Sequence, residues 1–515
     1  MQKSTTGPLG IHTTLHKAGV RLSARQIRWC CVILCLLIFL TASLTAARNR
    51  LPWSDEGWFS SAAHTLATQG FMGTPVLDSR LELPRIQQRT FWVMPLFLLG
   101  QAAWYKVFPD TILSTRAFTI VSALGALLAF YFFLTGLLRE KNVPLLAACL
   151  LSVSFIFIDN AGFARPDVLC GAFGLAGLAV FLALRESRWL LSLFLANTFI
   201  AASGFTHPNG LFHFFGLAVL VLWFDRRRLN VPALAMAALP YLLFALGWGL
   251  YIAQDVNAFT LQMKSNGTND RWTSTLNPFL IVWNEISQRY FVAFGLVTGG
   301  FGYLKALALG AYISGVAGCL ADSSLRRRPE VRLLFILLAV YFAGMSVFNQ
   351  KLSYYLVHIL PFYIALLALW IVALWIRRPG LRFVIAPALL LLCSVETTGI
   401  FLKARAQQYM LEQSPAMQFV EANTPKAGFI AGSASLLYEL HFDPRLHDDP
   451  YLGLRKGIFP DVVIIDPLYK DLYQEWSAGY PSRIKDIRQR LSLYRLAFHN
   501  NDYEIYLPAF QKPPV

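Results

Sequence analysis

The sequence predicts a polytopic α-helical membrane protein of about eleven transmembrane helices, ending in a small α/β domain. Three observations carry this. Of 515 residues, 56% are hydrophobic and only 14% charged, against roughly 25% charged in an ordinary soluble domain. Apolar runs of about 17 to 25 residues recur along the chain, each long enough to cross a ~30 Å hydrocarbon core as a helix. From residue 404 onward the composition turns mixed, with 12 basic and 13 acidic residues and short strand-like runs.

Residues 1–28 read as a cytoplasmic tail, because Lys17, Arg21, Arg25 and Arg28 precede the first apolar run, 29–47, and positive residues hold flanking segments inside. The length of that run favours a retained helix over a signal peptide. Further spans fall near 116–138, 143–158, 167–184, 189–205, 209–224, 232–252, 291–320, 332–348, 354–375 and 381–400. The apolar run at 91–108 is set apart as interfacial or re-entrant, since as a span it would move Arg226, Arg227 and Arg228 outside. The connections carrying Arg139 and Lys141, Arg185 and Arg188, Arg226 to Arg228, Arg326 to Arg328 with Arg332, and Arg377, Arg378 and Arg382 then all fall on the cytoplasmic side. Asp55, Glu56, Asp78, Glu82, Asp110, Asp159, Asp167, Asp255, Asp270 and Glu285 gather in outer loops or at their rims. Chemistry should therefore face outward.

The transmembrane part is assigned to 29–403, with a long first outer loop at 48–115, and an extracytoplasmic α/β domain to 404–515. In the first loop Ser54 can cap a helix whose Trp58, Phe59, Ala62 and Leu66 share one face. Such a helix would lie along the membrane surface. In the tail, 427–432 and 461–466 read as buried strands and 503–507 as an alternating one, with helices near 411–423 and 481–493.

The net charge of +16 would suit a nucleic-acid binder, but the excess sits between apolar runs, where membrane topology explains it. The seven cysteines, Cys30, Cys31, Cys35, Cys149, Cys170, Cys319 and Cys393, all lie in apolar segments without zinc spacing, so no disulfide framework and no metal site is expected. There is no internal repeat, Walker loop or dinucleotide fingerprint, which argues against an ATP-driven pump. No cofactor is expected.

Several residues carry candidate chemistry, each beside a plainer role. Asp55 and Glu56 suit the start of a helix through its dipole, and equally suit a general base that takes a proton from an attacking hydroxyl. Arg165 can snorkel or pair with Asp159 or Asp167, or bind phosphate. His207 beside Pro208 fits a turn and is otherwise a cavity residue. Lys351, among Asn349, Gln350, Tyr354 and Tyr355, runs against the cytoplasmic bias of basic residues; it is an interfacial anchor or the charge that stabilises a leaving phosphate. Asn266-Gly267-Thr268 is formally a glycosylation sequon, and Trp272 and Trp283 suit either sugar stacking or an interfacial belt. His441, Asp443, His447, Asp448 and Asp449 suggest a metal cluster, but their loop setting favours a solvated turn.

The acidic residue in the first outer loop, the interfacial helix with Pro95-Leu96-Phe97 and Arg116 opening the next span resemble the GT-C glycosyltransferases that use polyprenyl-phosphate sugars. The protein O-mannosyltransferase family and the lipid A aminoarabinose transferase group look similar, with further matches at Ala164-Arg165-Pro166-Asp167, Thr206-His207-Pro208-Asn209-Gly210 and Lys351-Leu352-Ser353-Tyr354-Tyr355 before Pro361. The resemblance covers 29–400 and not the tail. It implies an inverting transfer with Asp55 as base, Glu56 completing an Asp-Glu pair and Asp167 supporting the cavity. Arg165, His207, Lys351, Tyr354 and Tyr355 would bind substrate. Relatives place a Lys before a Pro-Pro pair where this chain has Phe91-Trp92-Val93-Met94-Pro95, so that phosphate contact does not transfer; Arg89 is a second candidate.

The reading that results is a multi-pass enzyme of the inner (cytoplasmic) membrane, with its amino terminus cytoplasmic and its tail periplasmic or extracellular. It would move a sugar from a polyprenyl-phosphate donor to an envelope glycan, lipid or protein acceptor, with no nucleic acid involved. A transporter or flippase is the competing class and predicts midplane ionisable groups and repeated broken helices. A non-catalytic assembly or receptor protein would place function in the tail.

Overall fold

The structure, a computed structural model, describes residues 23–77, 83–267, 275, 277–297, 300–424 and 428–509. Lys17, Arg21, Asp78, Glu82, Thr268 of the sequon, Asp270, Trp272 and the strand start at Ala427 lie outside the described residues.

Among the described residues nine helices are long and apolar enough to cross a membrane, ten if one bent pair counts as a span. The chain opens with α1 (Ala24–Asn49), then α2 (Ser54–Gln69) and α3 (Pro95–Tyr105). There follow α4 (Ile112–Leu137), the bent pair α5 (Asn142–Val153) and α6 (Phe155–Ala161), α7 (Pro166–Leu184), α8 (Trp189–Thr206), α9 (Gly210–Asp225) and α10 (Val231–Ile252). After α11 (Val256–Gly267), α12 (Pro278–Asn284) and the turn α13 (Phe291–Ala293) come α14 (Leu304–Ala321), the short α15 (Ser323–Arg326), α16 (Pro329–Ser346), α17 (Leu360–Arg377) and α18 (Arg382–Ala406).

The expected eleven spans are thus nine long helices, the bent pair, and α9, whose 16 residues fall short of a full crossing. Two boundaries differ for identifiable reasons. The span expected at 143–158 bends by 61° between α5 and α6, where the buried Glu396 of α18 accepts the Phe155 backbone N–H at 2.5 Å and the Tyr312 hydroxyl at 2.8 Å. The carboxylate thereby caps the second half of the broken helix. The span expected from 291 starts only at Leu304, because Gly295 at φ 71° breaks the helix and leaves no room for a Cβ against the Gly302 backbone. The interfacial run contains α3, whose 11 residues span only ~16 Å.

The basic connections share one end of the bundle. Arg185 and Arg228 both pair with Asp225, at 2.7 and 3.2 Å, Arg377 pairs with Asp322 at 2.7 Å, and Arg328 with Glu140. At the other end Arg50 and Lys403 both pair with Asp159, at 2.9 and 2.7 Å.

The tail holds a five-stranded sheet of β1 (Ile430–Ala431), β2 (Leu446–His447), β3 (Val462–Ile465), β4 (Tyr494–His499) and β5 (Glu504–Pro508), in the order β2-β1-β3-β5-β4. β1 is parallel to β2 and β3; β5 is antiparallel to β3 and β4. All four residues of β3 are buried, as expected for a strand covered on both faces. Val462 and Ile464 pack with α19 (Ser414–Asn423) and with Val76, Leu77 and Ile86 of the first loop, while Val463 and Ile465 pack under α20 (Pro467–Gly479) and α21 (Pro481–Leu491). The sequence reading missed β2, β4 and α20.

Helix α2 is sandwiched rather than laid on a membrane surface. Its Phe59 and Ala62 pack with Phe97 and Leu98 of α3, and on the other side Gly57 approaches 434 so closely that a Cβ there would sit 2.0 Å from the Ala434 oxygen. The helix begins one residue earlier than Ser54 capping predicts: Trp53 is the cap residue, and Glu56 Oε2 accepts its N–H at 3.0 Å.

Candidate active site

Asp55 and Glu56 are adjacent on α2, so helical geometry turns their side chains about 100° apart. Glu56 points into the protein and is fully buried. It accepts Arg116 Nε at 2.9 Å and Nη2 at 2.7 Å, as well as the Ala164 N–H at 2.9 Å. Arg116, also fully buried, spends its other N–H groups on the carbonyls of Ala47, Arg50 and Leu51 at 2.6, 2.9 and 3.1 Å. This one pair fastens the end of α1, the start of α2, α4 and the turn before α7 together. Glu56 therefore does not share the cavity with Asp55, and the expected catalytic pair is divided into one cavity carboxylate and one buried anchor.

Asp55 faces the other way and keeps 22% of its side chain exposed. It pairs with Arg165, whose Nε also reaches Asp167 Oδ2 at 3.0 Å. Asp167 lies in the first turn of α7, where the helix dipole favours a carboxylate, and it is buried behind the arginine. The guanidinium stacks 3.9 Å over the Tyr354 ring and 5.5 Å from Trp53. Burial pushes the Tyr354 hydroxyl above its usual range, with Arg165 opposing. His207, at the end of α8, accepts the Asn209 N–H on Nδ1 at 3.1 Å, which leaves Nε2 protonated and directed at Asp167 Oδ1, 3.9 Å away.

These groups line one cavity of about 450 Å³: Asp55, Arg165, His207, Tyr354 and Tyr355 on its polar side, with Trp58 and Trp92 among its apolar walls. Asp55 is the one carboxylate among the described lining residues. A second, larger cavity of about 900 Å³ is apolar, walled by Phe205, Leu243, Phe244 and Trp248, and carries Arg89 and Gln254 at its edge. Pro95, Leu96 and Leu99 face this cavity while Phe97 and Leu98 face the first, so α3 is the partition between them.

Two expected ligand residues are placed elsewhere. Arg89 borders the apolar cavity, hydrogen-bonded to Gln254, and not the cavity of Asp55. Lys351 is buried beneath the polar wall, 3.0 Å from Glu285 and donating to the Ser346 carbonyl at 2.7 Å. Burial holds its ammonium below the usual value, with Glu285 opposing. Its neighbours Gln350 and Leu352 are the ones that reach the cavity. The cation in contact with the cavity is Arg165, for which the sequence left a structural and a phosphate role open. Sequence reasoning missed Trp92, Gln350 and the Arg289 behind them, which donates to the Gln350 carbonyl at 3.1 Å; the one signal for Arg289 is its four-residue spacing from Glu285.

The histidine and aspartate cluster of the tail is not a solvated turn throughout. Asp448 and Asp449 are buried; Asp449 accepts the N–H groups of Tyr451 and Gly453 at 3.0 and 2.8 Å, while Asp443 pairs with Arg445 at 2.5 Å.

A bundle of apolar helices, a loop folded back over its end and a polar cavity there make this a polytopic α-helical membrane protein. Residues 93–263 match the family described as dolichyl-phosphate-mannose-protein mannosyltransferase, in line with the resemblance read from the first and second loops. Among solved structures, ArnT from Cupriavidus metallidurans bound to undecaprenyl phosphate is similar with a TM-score of 0.59 at 12% identity, over 94% of this chain and 98% of that one. The oligosaccharyltransferase of Archaeoglobus fulgidus in the apo form follows at 0.55 and 12%, over 95% of this chain and 75% of that one. The same organism's AglB in complex with an inhibitory peptide and a dolichol-phosphate gives 0.53 and 14%, with the same coverage. These likenesses establish the fold. By sequence, an uncharacterized protein of Aquifex aeolicus (strain VF5) is 28% identical over 120 residues, which is 23% of this chain and 22% of that protein.

Proposed function

We propose that this chain is an inverting membrane glycosyltransferase that moves one sugar from a polyprenyl-phosphate donor to an acceptor hydroxyl at the outer face of the cytoplasmic membrane. The observation that carries the reading is the placement of Asp55 as the cavity's carboxylate, held by Arg165. Asp55 takes the proton of the acceptor hydroxyl as its oxygen attacks the anomeric carbon. The carbon–oxygen bond to the lipid phosphate breaks on the opposite side, and the charge that builds on that phosphate meets the Arg165 guanidinium. A retaining route would need a second carboxylate about 5 Å away on the reacting face; the nearby Asp167 is 1% exposed and engaged by Arg165. His207, Tyr354 and Tyr355 shape the sugar site.

The apolar cavity beyond α3 suits part of the isoprenoid tail, with Arg89 at its edge as a second phosphate contact. Lys351 and Glu285 support the wall from behind. The end of the bundle that carries the paired basic loops is the cytoplasmic one, which puts the cavity and the tail outside. Similar proteins solved with undecaprenyl phosphate or dolichol-phosphate support the class of donor. Acceptors of the glycan, lipid and protein kinds all present the required hydroxyl.

The test compares membranes containing wild type and Asp55→Asn at matched folded amounts, incubated with radiolabelled polyprenyl-phosphate sugars and native envelope acceptors. Transfer should fall by at least about 100-fold in the variant, the usual worth of a general base. Equal transfer by both sinks the mechanism.

A further inference from the structure

Beneath the active cavity, inside the bundle, Cys170 of α7, His213 of α9 and His358 of the tight turn before α17 converge, although they are far apart in sequence. Among the described residues theirs is the one group whose donor atoms could hold a metal ion: one ligand atom from each lies within 4.8 Å of the others. All three side chains are buried, two of them completely. We infer that they bind a single borderline-soft transition-metal ion of the zinc or copper kind.

The geometry points there in four ways. His213 Nε2 and His358 Nδ1 stand 3.2 Å apart, and two imidazole nitrogens on a tetrahedral zinc, at ~2.0–2.1 Å each, are about 3.4 Å apart. One thiolate with two imidazoles is the donor set that zinc and copper(I) prefer over harder ions, and the Ser203 hydroxyl, whose own proton goes to the Cys170 carbonyl at 2.8 Å, lies 3.2 Å from the sulfur.

The outer nitrogen of one ring has its support. The Tyr341 oxygen is 2.7 Å from His213 Nδ1 and can accept its N–H. His358 Nε2 is buried without a hydrogen-bond partner. A ligand histidine that directs its second N–H towards a tyrosine oxygen or a carboxylate is the usual outer support of such a centre. A plain histidine pair leaves the buried His358 Nε2 without a partner.

The helix that supplies the thiol also makes room for the rings. A Cβ at Gly174 would sit 2.1 Å from a His213 ring atom, and one at Gly171 3.6 Å from His358 Nδ1. With Cys170, these glycines form a stretch of α7 on which both imidazoles rest. The bound ion would tie α7 and α9 to the turn Ser353–His358 that carries Tyr354 and Tyr355, and so brace the cavity wall. Binding converts the thiol to thiolate and releases its proton to the buffer.

The full chain, purified in detergent without a histidine tag or chelator, is assayed for metals, and its X-ray absorption edge distinguishes zinc from copper and shows sulfur together with nitrogen ligands. About one equivalent per chain is expected, falling at least tenfold in Cys170→Ser. Wild type stripped by chelator should rise in thermal midpoint when zinc or copper(I) is returned, an arm that holds even if the variant fails to fold. Wild type that arrives empty and does not shift on metal addition overturns the inference, as does metal content unchanged in both Cys170→Ser and His213→Gln.

Discussion

The Trp58 indole N–H donates to Asp448 Oδ2 across 2.7 Å, joining a residue of the first loop to one 390 positions later. Asp448 also accepts the Tyr469 hydroxyl at 2.9 Å and the Ala434 N–H at 3.2 Å, while Trp58 forms part of the Asp55 cavity wall. The C-terminal domain thus holds one wall of the cavity in place.

Trp58→Phe retains an aromatic ring but leaves a buried carboxylate one donor short. A hydrogen bond to a charged group is worth about 1.5–3 kcal/mol, so the unfolding free energy should drop by that order. Steady-state transfer should show a raised acceptor KM. An unchanged KM would detach the tail from acceptor binding.

Glu56→Gln tests whether Glu56 anchors or catalyses. Removing one charge from its buried pair with Arg116 should cost about 3–5 kcal/mol, read as less folded protein and a lower thermal midpoint. The fraction that folds should keep kcat within tenfold of wild type. A stable variant without turnover would return Glu56 to the chemistry.

Arg165→Lys keeps a positive charge but loses the fork that reaches both Asp55 and Asp167 and the flat face that stacks on Tyr354. Transfer should fall about tenfold or more in kcat/KM, with little change in thermal midpoint. Wild-type kinetics in this variant would remove Arg165 from the reaction.

Gly57→Ala places a Cβ 2.0 Å from the Ala434 oxygen. Because the obstacle is backbone, α2 must move away from the tail, at a cost of about 1–3 kcal/mol or more. Proteolysis of the variant should expose the tail earlier than in wild type; identical cleavage kinetics would contradict the tight approach.

Asp466 gives the tail a pH dependence. Burial raises its carboxyl above the usual range, against the Ser433 and Ser435 hydroxyls and the Tyr469 N–H, which favour the charged form. The folded state then binds the proton more tightly than the unfolded one, so the associated stability is full below the ordinary value near ~4 and is lost as pH rises through the raised folded value. Asp466→Asn should gain on wild type as pH climbs from about 4 to about 7 in matched thermal unfolding series. A constant difference between the two would refute the assignment.

The long apolar helices and the segregation of basic loops at one end were legible because both follow from local composition and the membrane's demand that backbone groups bond internally. Where the reading slipped, a distant partner intervened. Glu396 bends the expected third span by capping Phe155 from another helix, and Lys351, which looked exposed at a rim, is drawn inward by Glu285. The short strand Leu446–His447 exists only because β1 lies beside it.

By itself the sequence determined a helical membrane bundle with a mixed α/β tail, and the candidates Asp55, Arg165, His207, Tyr354 and Tyr355, since residue type and position relative to a span are local properties. Only the tertiary structure decided that adjacent Asp55 and Glu56 serve different surroundings and that Arg165 is the cation of the cavity. It alone also brought Cys170, His213 and His358 together. Such distinctions depend on which helices pack side by side, and no spacing along the chain records that.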